Sequence, residues 1–337
     1  MDPLCISLAK LFIWEEPGSP DIKIGNRAAA EIFSADFSSL SREFLPPYRL
    51  IPEERPFVSR WDHESVVACG GASSPVHMRI SGHRTAAFWS KVFAPLVTDR
   101  RENPETIDMI EAPDGSVSIW QGLERVEDPG GADGAMAQPG GDIRFILPQL
   151  WFGDRVCGIL HGCAMEWHGK TFALLGKSGA GKSTLAAHLA SQGARYVSDD
   201  LLFLLDDGTV PRLVMPPSIK IGAWDLVSPH FPALQTVPSF LKGETAFRLM
   251  PDAPFISEEA GDMPQHFFFL GFTAGRVLAV DQIDLDEVFL RLSSVGLWVR
   301  NGRLAEITGM LRPAKWHWLR HGDSAEAGEA IAGILDS

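Results

Sequence analysis

The sequence predicts an α/β protein of two domains, a larger one over residues 106–337 with its core at 160–250, and a smaller α+β region over residues 1–105. Three observations carry that expectation. At 337 residues the chain is too long for one small core. A glycine-rich loop at Gly176–Thr184 lies between an apolar strand pattern and a helix pattern. Strand and helix patterns then alternate toward the C-terminus.

Composition narrows the function classes. Hydrophobic residues make up 45% of the chain and charged residues 22%, so a core can form. Lys plus Arg number 30 against 43 Asp plus Glu, a net charge of −13. That excess repels phosphate backbones and anionic lipid, which argues against nucleic acid and membrane as partners. The cysteines, Cys5, Cys69, Cys157 and Cys163, form no CxxC pair, so neither a disulfide framework nor a zinc ribbon is expected. No apolar run reaches the roughly 18–20 residues of a membrane span. The N-terminal stretch has acidic residues early and no basic n-region, so cytoplasm is the expected compartment.

Residues 1–100 mix short apolar runs with Pro and Gly, and no chemistry is legible there. Gly82 to Val97 fits a helix. Between Asp108 and Leu123, two alternating runs flank Pro113-Asp114-Gly115, a hairpin signal. Asp128 to Asp142 is rich in Gly, Pro and Ala and reads as a flexible loop or linker. Ile143 to Ile159 has helical apolar spacing. Leu160–Trp167 reads as a strand, His168–Lys170 as a turn, and Thr171–Leu175 as an apolar strand. The loop Gly176–Gly181 follows, then a helix over Lys182–Ser191, with Gly193 in the position of a helix C-terminal glycine. Ala194–Val197 and Leu201–Leu205 are further strands, and Asp206-Asp207-Gly208 looks like a hairpin turn. Later strands are expected at Phe267–Phe272, Arg276–Val280 and Trp316–Leu319, and later helices at Leu285–Leu297 and Ser324–Leu335.

Gly176-Lys177-Ser178-Gly179-Ala180-Gly181-Lys182-Ser183 satisfies GxxxxGK[ST]. Glycines let backbone N–H groups turn inward around phosphate oxygens. A helix starting at Lys182 aims its positive end at the same anion. Lys182 is placed to reach the β- and γ-phosphates of ATP, and the Ser183 hydroxyl to ligate Mg²⁺. Asp199 and Asp200 close the next strand, whose end faces the ligand crevice in a parallel α/β sheet. One carboxylate can hold the metal while the other accepts a proton from an attacking hydroxyl. If residues 160–167 and 171–175 pair across His168–Lys170, His161 falls opposite Lys177, at the mouth of the loop. There it can contact a phosphate or a carboxylate, or serve as a strand-end histidine with structural hydrogen bonds; both readings stay open. His161, Cys163 and His168 lack a consistent ligand spacing, so zinc is not expected. Trp316-His317-Trp318 with His321 reads as core and strand edge.

Leu160-His161-Gly162, the loop Gly176 to Thr184, Gly193, and Val197-Ser198-Asp199-Asp200 together resemble the catalytic core of the HPr kinase/phosphorylase family, and more closely its diverse HPr-kinase-like relatives. The likeness covers about 45 residues strongly and 143–335 loosely. It implies a P-loop fold of the HPr-kinase-like, phosphoenolpyruvate-carboxykinase-like type. It implies His161, Lys182, Asp199 and Asp200 as catalytic residues, Gly176 to Thr184 as the ATP cradle, and Ser183 with Asp199 at Mg²⁺. One aspartate would accept the proton of a substrate serine, with Asp200 favoured. The family often forms hexamers, which implies a homo-oligomer. Three departures stand out: Thr184 where the family commonly has glutamate, Lys220 within Ser218–Gly222 at the counterpart of a metal-binding segment, and an N-terminal region unlike the usual regulatory domain. Lys220, Lys242 and Arg248 are candidate phosphate cations, each with a surface-charge alternative. The expected activity is an ATP- and Mg²⁺-dependent kinase acting on a hydroxyl, with a serine of a protein or peptide as leading acceptor. A small-molecule kinase and a regulatory P-loop ATPase remain the alternatives.

Overall fold

The computed structural model describes residues 49–337 apart from 71, 73, 101–103, 128–142, 214, 243, 256–260 and 301. The expected linker at 128–142 lies outside the described residues. The chain begins with β1 (Arg49–Pro52), β2 (His63–Val67), β3 (Val76–Ser81), α1 (His83–Phe93), β4 (Glu105–Glu111), β5 (Val117–Gln121) and β6 (Glu124–Glu127). These strands form one six-stranded sheet in the order β1-β6-β5-β4-β3-β2. α1 is the crossover between β3 and β4, which pair in parallel. β4 and β5 form the expected hairpin, and Asp114 tightens its turn by accepting from the Ser116 amide at 2.9 Å. A division at 105/106 would cut β4–β6 away from β1–β3, so the sheet places the end of the N-terminal unit at or after Glu127.

α2 (Ile143–Phe152) ends earlier than the apolar spacing suggests. A tight turn at Gly153–Arg155, with Gly153 at φ 51°, sends the chain into β7 (Val156–Trp167). Val156, Cys157, Ile159 and Leu160 are buried on both faces of β7, so the run is apolar without alternation. Periodicity cannot separate such a run from a buried helix, so residues 153–159 carry helical spacing although they form a turn and the start of β7.

The rest of the chain runs through β8 (Lys170–Leu175), α3 (Lys182–Ser191), β9 (Arg195–Ser198), β10 (Leu201–Leu205), β11 (Thr209–Val210), β12 (Ser218–Lys220) and α4 (Trp224–Val227). Then come β13 (Ser239–Lys242), β14 (Thr245–Leu249), β15 (Gly261–Asp262), β16 (His266–Phe272), β17 (Ala279–Gln282), α5 (Leu285–Val295), β18 (Leu297–Val299), α6 (Leu304–Leu311), β19 (Lys315–His321) and α7 (Ser324–Asp336). Asp206-Asp207-Gly208 does form a turn, but the strand after it, β11, pairs with β15 rather than folding back on β10.

The main sheet runs β10-β7-β8-β16-β19-β17, with β9 and β18 also on β7. β8, β16 and β19 are parallel, whereas β7 is antiparallel to β8 and β9, so the sheet is mixed rather than parallel throughout. β7 changes both partners halfway. Val156–His161 pairs with β10, and Gly158–Leu160 with β18. From Gly162 onward the partners are β8 and β9. The exchange falls at His161–Gly162.

Alternate faces of β7 and β10 feed different hydrophobic clusters. Val156, Ile159, Leu201, Phe203 and Leu205 join the cluster of the N-terminal sheet, α1 and α2. Cys157, Leu160, Leu202 and Leu204 pack with α5, β18 and α6. Farther along β7, Cys163, Met165 and Trp167 pack against α3 and α7. Among the described residues no helix is long and apolar enough to cross a membrane.

Candidate active site

The loop Gly176–Gly181 leaves the C-terminal end of β8 and enters α3. Gly176 is buried, Lys177, Ser178 and Gly179 are exposed, and Lys182, Ser183 and Thr184 are half-buried. Gly179 and Gly181 both sit at φ 88°, a left-handed conformation that favours glycine. Gly181 is the N-cap of α3, and no side chain caps the first turn. The helix N-terminus is therefore left uncapped by any side chain, the arrangement that receives an anion. A Cβ at Gly179 would meet nothing within 4 Å, so the cradle is open on that side. Behind the loop stands His321, fully buried, its Nδ1 3.1 Å from the Asp323 carbonyl. A Cβ on Gly181 would come 3.4 Å from its ring. Burial holds the His321 imidazole below its usual pKa, hence neutral.

The Lys182 ammonium donates to the Gly176 carbonyl at 2.5 Å and the Lys177 carbonyl at 3.3 Å. Burial pulls its pKa down, against the opposing pull of Asp200 and Asp199. Lys220, at the end of β12, reaches across and donates to Ser178 Oγ at 2.8 Å. Arg248 is not at the loop: its guanidinium stacks 3.9 Å from the Trp224 ring centroid and donates to the Leu234 carbonyl. The Lys242 side chain lies outside the described residues.

The two hairpin strands are in register Gly162↔Leu175 and Trp167↔Lys170. That is one residue short of the expected pairing, which set Trp167 against Thr171. The cause is a two-residue turn, His168 at φ 47° and Gly169 at φ 80°, the signs of a type I′ hairpin turn. His161 consequently sits one position before the pair Gly162↔Leu175, beside the start of the loop, as the motif reading required. It does not meet His168, which lies at the far end of the hairpin with Nδ1 3.0 Å from Asp336.

β9 ends at Ser198, and Asp199 and Asp200 form the bend into β10. Asp200 has φ 69°, uncommon for a residue other than glycine. Its carbonyl accepts from the Gly162 amide at 3.2 Å, which ties the bend to β7 at the partner exchange. Its carboxylate lies 3.3 Å from His161 Nε2 and 2.6 Å from an Arg144 Nη. Arg144, on α2, is the residue that sequence reasoning missed. Asp199 is half-buried: desolvation and the neighbouring Asp200 charge raise its pKa from 3.8 to about 6, while Arg144 and Lys182 oppose the rise. The Cys163 thiol faces Asp199, and burial with that carboxylate pushes it well above its usual range. The Tyr196 hydroxyl and Ser198 Oγ are buried without hydrogen-bond partners.

The structure thus brings the loop, Lys182, Asp199, Asp200 and His161 close together. The residues present fit a nucleoside triphosphate with a divalent cation. The uncapped helix start and open glycine loop suit phosphates, and the Ser183 hydroxyl with the Asp199 carboxylate offers the hard oxygen donors that Mg²⁺ takes. No family model matches the chain, and neither does any of the curated proteins.

Proposed function

We propose that the chain is an ATP- and Mg²⁺-dependent kinase that transfers the γ-phosphoryl group to a hydroxyl, with a serine of a protein or peptide as the acceptor, in the manner of the HPr-kinase-like proteins that it resembles. One observation carries this reading: an uncapped P-loop helix and its lysine lie near a carboxylate pair and a histidine. A motor or regulatory ATPase also needs the first half of that arrangement. The carboxylate and imidazole facing it are what a hydroxyl acceptor requires.

The backbone of Gly176–Gly181 and the first turn of α3 hold the phosphates, and Lys182 offsets their charge. Ser183 and Asp199 would hold Mg²⁺, which when bound neutralises charge on the phosphates. Lys220, already on Ser178, closes over the loop from the β12 side. Asp200 is the more suitable proton acceptor. Its side chain is 35% exposed, so an incoming hydroxyl can reach it, and Arg144 and His161 orient it. The acceptor oxygen forms the new P–O bond and the bond between the γ-phosphorus and the β,γ-bridging oxygen breaks. ADP leaves with that electron pair, and the hydroxyl proton passes to Asp200.

Incubation with γ-labelled ATP, Mg²⁺ and a serine-containing peptide pool or lysate tests this. Label should enter an acceptor with the native protein. It should fall by about a hundredfold or more in Asp200→Asn, while nucleotide affinity persists. Free labelled phosphate with no labelled acceptor would favour the ATPase reading, and label on a small molecule alone would remove the protein acceptor.

A further inference from the structure

Arg144 stands where simple rules would not put it. It is the second residue of α2, in the first turn, where the helix dipole favours anions. No acidic residue in that turn offsets it. Its side chain is 11% exposed, and its Nε is buried without a hydrogen-bond partner. A buried cation at the wrong helix end, incompletely satisfied, breaks two local rules at once, and such violations concentrate at functional positions. On one side the guanidinium grips Asp200, 2.6 Å away. On the other its central carbon lies 5.6 Å from the ring centroid of Trp89. Trp89 is fully buried in α1 and stacks on Phe93 at 5.3 Å, inside the cluster of the N-terminal sheet.

We infer that Arg144 is a positioning residue through which the N-terminal layer holds the Asp200 carboxylate in place against His161. Asp200 occupies a left-handed backbone conformation that persists only where surrounding structure enforces it. The Arg144 guanidinium supplies that enforcement from α2, and Trp89 fixes the guanidinium from α1. The active site is therefore completed by a unit distant from it in sequence. The charged and titratable groups around the carboxylate pair are His161 and Cys163 from β7, Lys182 from α3, Tyr196 from β9, and Arg144 itself.

The kinetic part of this inference rests on the phosphotransfer reading, and the structural part does not, so the experiment measures both. Arg144→Gln, Arg144→Lys and Trp89→Phe are made in the full chain, with Arg155→Gln as control; Arg155 pairs with Asp206 and Asp207. Backbone NMR follows the amides of Asp200 and Leu201 against those of Gly179 and Gly181. The Asp200 and Leu201 resonances should move in Arg144→Gln and Trp89→Phe, and stay put in Arg155→Gln. Phosphoryl transfer should fall by about a hundredfold in Arg144→Gln with nucleotide affinity nearly unchanged. Arg144→Lys should restore part of the rate. Unmoved Asp200 resonances in folded Arg144→Gln and Trp89→Phe, or a transfer rate in Arg144→Lys no higher than in Arg144→Gln, would overturn the inference. Should the native protein transfer no phosphate, the kinase reading falls, and the Asp200 resonances alone decide the role of Arg144.

Discussion

Ionising Asp199 places a carboxylate among protein atoms and beside the Asp200 charge, and its pKa rises from 3.8 to about 6. The folded state therefore binds this proton more tightly than the unfolded state does. Stability from this group is fully present below about pH 4 and is lost as pH rises through about 6, reaching a penalty on the order of 3 kcal/mol near neutrality. Asp199→Asn is accordingly expected to be more stable than the native protein at pH 7.5, by up to about 3 kcal/mol in urea denaturation. That advantage should disappear near pH 4; an advantage independent of pH would contradict the assignment. The same variant should lose Mg²⁺-dependent nucleotide binding, the trade of activity against stability seen where function needs a strained group. The loop, the aspartate pair and His161 are legible in the sequence because each is a chemistry-bearing residue type within a short local motif. Arg144 is not, because its partner lies 56 positions away and a lone arginine in an apolar helix carries no spacing signal.

At the scale of elements, the β7–β8 hairpin is what brings His161 to the loop, and glycine makes the approach close enough. A Cβ on Gly162 would lie 2.5 Å from Leu175 Cδ2 and 2.8 Å from the Leu174 carbonyl. The carbonyl belongs to the backbone of β8 and cannot rotate away. Gly162→Ala should cost about 1–3 kcal/mol in denaturant titration, the range for overpacking a tight contact. It should also weaken nucleotide binding, since Leu175 leads directly into the loop. Native-like affinity at reduced stability would separate the hairpin from the site. The hairpin is foreseeable from Leu160 onward because the strand patterns and the His168-Gly169-Lys170 turn are local. Its register differs by one from the expected pairing because the type I′ turn uses two residues, His168 and Gly169, and Lys170 already belongs to β8. The first half of β7 is hidden for a different reason, its burial between two clusters.

Across the whole molecule, the N-terminal sheet and the main sheet share one hydrophobic cluster. Val67, Met78, Ile107 and Trp89 belong to it together with Val156, Ile159, Leu201 and Phe203. A fragment of residues 143–337 would expose the second group. It is expected to bind a hydrophobic dye and to melt without cooperativity, while the full chain unfolds in one transition. A soluble, cooperatively melting fragment would show that the main sheet stands alone. None of this joint core is visible in the sequence, because contacts between distant apolar runs leave no mark on local periodicity. The α/β character is visible, since each run of strand and helix has its own period. The partner exchange within β7 carries the matter into genetics. One strand faces the N-terminal cluster along its first half, and its second half begins at Gly162, opposite the Leu175 that leads into the glycine loop. The N-terminal unit is then not a cassette. Exchanging it for one from another protein should fail unless the β7 and β10 positions that face it are exchanged as well. A screen for lost activity should also return changes in that sheet, such as at Met78 or Ile107, alongside those in the glycine loop.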